Sequence, residues 1–133
     1  TGAEPTEILA FGHTGPSGVD LTVGFQLQVP GNVVALLDCS FECPYRNRLE
    51  MVGTQGAIEF PEGVLPPPQS KLILRTGETA EELFVGEANQ YAEQVKAFVA
   101  GIRSGTLPAP AEDGLANMKV LQAVKELVWR QSV

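Results

Sequence analysis

The sequence predicts an α+β domain: an open, mainly antiparallel β-sheet with two C-terminal helices packed on one face. Three observations predict it. Residues 19–29 alternate strictly, with Val19, Leu21, Val23, Phe25, Leu27 and Val29 apolar and polar or small residues between them. Period two is the mark of a half-buried strand, because successive side chains point to opposite faces. The last third of the chain carries apolar residues at helical spacing instead. Strand patterns come first and helical patterns last, without alternation, which points to segregated layers rather than a parallel sheet.

Each element has its own signal. Residues 6–13 are expected to form a strand ahead of the alternating run. Pro30-Gly31-Asn32 supplies turn chemistry. A second alternation follows, with Val33, Ala35, Leu37, Cys39 and Phe41 on one face and Asp38, Ser40 and Glu42 on the other. Two runs joined in this way read as an antiparallel hairpin. Val34 and Leu36 make the second face apolar near the turn, so that face is expected to be covered. Pro44 ends the run. Strands are expected at residues 47–52 and 57–60, joined across Gly53-Thr54-Gln55-Gly56, with weaker ones at 72–75 and 82–85. Pro66-Pro67-Pro68 reads as a stiff, extended surface connection. Asn89 can cap a helix that runs to Ser104, with Gly105 just past its end. Tyr91, Val95, Phe98, Val99 and Ile102 form its apolar stripe. Leu107-Pro108-Ala109-Pro110 cannot continue a helix. A second helix begins near Ala111, with Glu112 and Asp113 at its positive end. Its buried stripe is Leu115, Met118, Leu121 or Gln122, Val124 and Val128.

Composition bounds the function. The chain has 133 residues, enough for one domain with a core. A formal net charge of -7 argues against binding nucleic acid or an anionic membrane surface, both of which need clustered positive charge. No apolar run approaches the roughly 20 residues of a membrane span. Residues 1–5 lack the features of a signal peptide, so a cytoplasmic location is expected. The sequence opens on Thr1 rather than Met and is read as starting inside a longer protein.

Catalytic patterns were sought among the reactive residues. Cys39 and Cys43 would lie about 13 Å apart on a strand, beyond the roughly 7 Å between Cα atoms that a disulfide allows. With His13 as the sole histidine they fall short of a tetrahedral metal site. Reduced, partly buried thiols and no metal are expected. No Gly-x-Gly-x-x-Gly, phosphate-binding loop or nucleophile elbow occurs in the sequence. His13 reads as an exposed loop residue, and Glu59 and Glu62 as carboxylates on a solvated edge. No catalytic or cofactor-binding residue is assigned. Pro44-Tyr45-Arg46-Asn47 joins two strands, and such loops often carry function on a rigid scaffold. The Tyr45 ring and hydroxyl and the fixed donors of Arg46 suit a polyhydroxylated substrate.

Two stretches carry a resemblance. One is Arg48-Leu49-Glu50-Met51-Val52-Gly53-Thr54-Gln55-Gly56-Ala57-Ile58-Glu59-Phe60. The other is Asn89-Gln90-Tyr91-Ala92-Glu93-Gln94-Val95-Lys96-Ala97-Phe98, continued by Gly101-Ile102-Arg103-Ser104-Gly105 and Pro110-Ala111-Glu112-Asp113-Gly114-Leu115-Ala116-Asn117. In order and spacing they resemble the C-terminal domain of the Gfo/Idh/MocA oxidoreductases, the family of glucose-fructose oxidoreductase and inositol 2-dehydrogenase. The resemblance implies that residues 1–133 are one C-terminal domain for substrate binding and oligomerisation. It implies a parent NAD(P)-dependent sugar or polyol dehydrogenase. NAD or NADP and the catalytic lysine would then belong to an N-terminal Rossmann domain absent from this chain, which would be inactive alone. It also implies a homo-oligomer formed through the sheet face. Tyr91, and Tyr45 counted back from Gly53, resemble positions where sugar- and inositol-dehydrogenase-like members carry a substrate-facing tyrosine. Tyr45, Arg46 and Tyr91 are therefore the candidate substrate contacts. Tyr91 equally begins an apolar stripe, and Arg46 equally suits an ion pair. A non-enzymatic dimerisation module and a stand-alone carbohydrate-binding domain remain open as alternatives.

Overall fold

The computed structural model describes residues 2–107 and 109–131. In chain order these form β1 (Glu7–Thr14), β2 (Asp20–Val29), β3 (Val33–Ser40), β4 (Leu49–Gly53), β5 (Gly56–Phe60), β6 (Gln69–Thr76), β7 (Thr79–Glu87), α1 (Gln90–Ser104) and α2 (Ala111–Gln131). The α+β class is as the patterns predict, and every strand pairing is antiparallel. The strands divide between two sheets, β1-β2-β3 and β4-β5-β6-β7. The chain forms two compact units, Thr1–Pro44 with Ala109–Val133, and Tyr45–Pro108. Pro108, part of the expected break between the helices, lies outside the described residues.

In the first unit the register aligns Ala10 with Phe25 and Phe25 with Leu37. Alternation then puts Ala10, Gly12, Val23 and Phe25 on one face, which α2 covers by lying against β1. Ala10, Val23, Val124 and Val128 are the buried core, with Val128 only 1% exposed. Gly12 makes this approach possible. A Cβ there would stand 2.7 Å from Val128 Cγ1 and 2.9 Å from the Thr22 carbonyl oxygen. The opposite face carries Leu9, Phe11, Val34 and Leu36, all solvent-exposed, Leu36 at 78%. The apolar second face read from Val34 and Leu36 is therefore present, and larger than those two residues.

His13 lies on β1, paired with Thr22 of β2, as the strand expected at residues 6–13 has it and not in a loop, and it is exposed. Both cysteines are free and exposed rather than partly buried. β3 stops at Ser40, short of Pro44, because the Ser40 hydroxyl accepts from the amides of Glu42 (3.0 Å) and Cys43 (3.3 Å) and turns the chain.

In the second unit, Glu50, Glu59, Ile73 and Glu82 align across the four strands. α1 starts as expected: the Asn89 side chain accepts from the amides of Tyr91 (3.0 Å) and Ala92 (3.1 Å). It ends at Gly105, whose φ of 73° is left-handed. Its apolar stripe, however, is exposed from Tyr91 through Ile102.

Candidate functional site

The second unit holds a cleft of about 190 Å³. Its construction starts at Asn47, in the connection into β4. The Asn47 amide donates to the Glu62 carbonyl (2.9 Å) and accepts from the Val64 amide (3.2 Å). Gly63, between those two residues, has φ of 62°, and a Cβ on it would fall 1.9 Å from Asn47 Oδ1. Only glycine lets the chain pass there, so this wall is locked to the start of β4. Phe60, Pro66, Pro67 and Val85 give the cleft apolar surface, and Glu62 and Lys71 give it charge. The Pro68 carbonyl accepts from the Ala88 amide (3.2 Å), tying the proline run to the entry of α1. Gln90, the first residue of α1, also lines the cleft.

The charges are unevenly matched. Lys71 Nζ pairs with Glu82 Oε1 at 2.8 Å. That contact holds the Lys71 pKa above its ordinary value, with Glu82 as the main cause and Glu62 a lesser one. The Ser70 hydroxyl donates to the Pro67 carbonyl at 2.6 Å. Glu62 Oε2 is buried and has no hydrogen-bond partner. Buried polar atoms are normally paired, so this one stands out.

None of the three residues proposed from sequence lines this cleft. Tyr45 and Arg46 immediately precede the clamping Asn47, and Tyr45 is 85% exposed. Tyr91 follows Gln90 and is 66% exposed, so it does not begin a buried stripe. All three belong to the unit that contains the cleft. Sequence reasoning missed Glu62 and Lys71 as neighbours. Residues nine apart on different segments share no periodic signal, and the Asn47–Gly63 clamp is visible only in three dimensions.

Two other polar clusters surround buried or strand-end groups. Glu59 is 8% exposed, not on a solvated edge. It accepts from Arg75 Nε and lies 3.6 Å from an Arg48 guanidinium nitrogen. Arg75 is the first cause holding the Glu59 carboxyl below its ordinary pKa, and burial opposes it. In the first unit, Glu42 Oε2 meets His13 Nδ1 at 3.1 Å and the Thr22 hydroxyl at 3.0 Å. These bonds, His13 first, lower the Glu42 pKa. The described residues contain no group of three or more side chains suited to a metal ion.

The Rossmann type of dinucleotide cradle is a parallel strand–turn–helix with glycines at the turn, and the described residues do not form one. Here all pairings are antiparallel, and α1 is entered through Ala88-Asn89 and α2 through Ala109-Pro110. Among the described residues no helix is long and apolar enough to cross a membrane.

Residues 1–59 match the model of the GFO/IDH/MocA C-terminal domain. The chain is 33% identical over 137 residues to an uncharacterized oxidoreductase of Rhizobium meliloti, an alignment covering 96% of this chain and 41% of that protein. It is 32% identical over 109 residues to dTDP-3,4-didehydro-2,6-dideoxy-alpha-D-glucose 3-reductase of Saccharopolyspora spinosa, covering 80% of this chain and 33% of that protein. The chain thus spans less than half the length of the curated relatives it matches. Its fold superposes with a TM-score of 0.85 on an aldose-aldose oxidoreductase of Caulobacter crescentus solved with glycerol, at 22% identity over 98% of this chain and 41% of that one. It superposes with a TM-score of 0.80 on a 3-ketoreductase of Actinomadura kijaniata solved with NADP, at 24% identity over 92% of this chain and 41% of that one. At such identities the structural likeness speaks for the fold alone.

Proposed function

We propose that the chain, whose residues 1–59 match the GFO/IDH/MocA C-terminal domain model, is the substrate-side and subunit-assembly domain of a cytoplasmic NAD(P)-dependent sugar or polyol oxidoreductase. The observation that carries the reading is the 32% identity, over 80% of the chain, to a sugar 3-reductase. The 3-ketoreductase that shares the fold was solved with NADP. In this reading a separate Rossmann domain holds the nicotinamide cofactor.

Two surfaces are left for this chain to supply. Tyr45, Arg46 and Tyr91 are exposed in the unit that holds the cleft and bear the hydroxyl and guanidinium groups that suit a polyhydroxylated ligand. The face of β1-β2-β3 turned away from α2 exposes Leu9, Phe11, Val34 and Leu36. An apolar patch of this kind usually marks a contact surface, and a second copy of the chain is its occupant.

The test uses the full-length protein and a panel of aldoses, polyols and sugar nucleotides, followed by nicotinamide absorbance. Turnover of at least one is expected; turnover of none overturns the reading. On that substrate, Tyr45→Phe and Arg46→Ala should each lower kcat/KM about 10-fold, or roughly 1.4 kcal/mol of transition-state binding. Cofactor affinity and thermal midpoint should stay nearly unchanged. Full activity in both variants, or unfolding of both, removes Tyr45 and Arg46 from the substrate site.

A further inference from the structure

We propose that the cleft beside Pro66-Pro67-Pro68 is a subsite for the uncharged, hydroxyl-bearing ring of a sugar or polyol, with Glu62 and Lys71 as its polar contacts. The proposal rests on the oxidoreductase reading and adds a place and a charge preference to it.

The walls set the shape of the ligand. Phe60, Pro66, Pro67 and Val85 present flat apolar surface, which fits the C–H face of a saturated ring. The polar groups nearby are spent, except at one point. Asn47 is engaged with Glu62 and Val64, and Ser70 with Pro67. Among the groups that line the cleft, Glu62 Oε2 is buried without a donor. A small turn of that carboxylate toward the cleft lets a ring hydroxyl supply one. Lys71 Nζ gives one of its three donors to Glu82 and keeps others for a neighbouring hydroxyl oxygen. The wall bearing Glu62 is already held by the Asn47–Gly63 clamp, so little ordering is needed when a ligand enters.

Charge decides which part of a substrate fits. Lys71 is matched by Glu82, and Glu62 is additional, so the cleft and its rim carry two carboxylates against one ammonium. A phosphate or diphosphate would face an unmatched carboxylate, whereas neutral hydroxyls meet both a donor and an acceptor. The geometry therefore selects the sugar ring over an anionic tail.

The experiment is isothermal titration of the full-length protein with myo-inositol, D-glucose and D-glucose 6-phosphate. At least one neutral ligand should bind, and the phosphate ester should bind at least 10-fold more weakly than unmodified glucose. Glu62→Gln, which keeps the side-chain shape, and Lys71→Met should each weaken neutral-ligand binding about 10-fold while both variants unfold at the wild-type temperature. Tighter binding of the phosphate ester overturns the proposal. So does neutral-ligand binding that neither folded variant changes; the sugar then sits elsewhere and the oxidoreductase reading survives. A protein that turns over a sugar yet binds neither neutral ligand also overturns the subsite and leaves the wider reading intact.

Discussion

Replacing Gly12 by alanine tests how α2 is seated on its sheet. The added methyl would stand 2.7 Å from Val128 Cγ1 and 2.9 Å from the Thr22 carbonyl oxygen. Val128 is the most buried large side chain, at 1% exposure, and Thr22 is held in the ladder by its pairing with His13. Neither can withdraw freely, so the change is an overpacking of the kind that costs about 1–3 kcal/mol. Alanine recovers part of that, about 0.5–1 kcal/mol, because glycine is unfavourable inside a strand. A net loss of about 1–2 kcal/mol is expected, which for a chain of this size lowers Tm by roughly 3–10 °C. Val128→Ala alone removes two methyl-sized groups from the core, about 1.6 kcal/mol of transfer plus a cavity contribution. In the double variant the truncated Val128 makes room for the new methyl, so the losses should fall short of additive by about 1 kcal/mol. Urea and thermal unfolding of the four proteins in the cycle supply the numbers. A neutral or stabilising Gly12→Ala, or strict additivity with Val128→Ala, would refute the close approach of α2 to β1.

Two further outcomes follow from other parts of the molecule. The folded-state pKa of Glu59 is depressed by Arg75, so its contribution to stability is complete above the ordinary carboxylate range and is lost as pH falls through the lowered value. Urea midpoints measured between about pH 6 and pH 2 should therefore fall less steeply for Glu59→Gln than for wild type; parallel curves would refute the pairing. Leu36→Glu places a charge on the exposed apolar face of β1-β2-β3 and should shift sedimentation of the full-length protein from dimer toward monomer without lowering Tm. An unchanged dimer, or a wild-type monomer at high concentration, counts against that face as the subunit contact.

The sequence by itself determined what depends on neighbours along the chain. Alternation through residues 19–29 produced β2, because a half-buried strand must send every second side chain inward. Asn89 and Gly105 bounded α1 within a residue, because a cap is chemistry between a side chain and amides two or three positions away. Val34 and Leu36 announced the apolar second face of β3, and the ordered motifs from Arg48 to Asn117 resembled the domain family whose model matches residues 1–59.

Tertiary structure decided what depends on residues far apart. His13 came to face Glu42, 29 positions later, across the end of the sheet. Gly12 leaves room for Val128, which lies more than a hundred positions later. Glu59 is buried beside Arg75 of the neighbouring strand β6 and Arg48, which immediately precedes β4. Tyr91 is exposed because a helical stripe says which residues share a face, not whether anything covers them. The cleft arises where Asn47 reaches across to residues 62 and 64 and fixes a wall bearing Glu62 opposite the strand that carries Lys71. Periodicity records a residue's direction relative to its own backbone, whereas a site is a convergence of directions from several backbones, and only the folded chain holds that information.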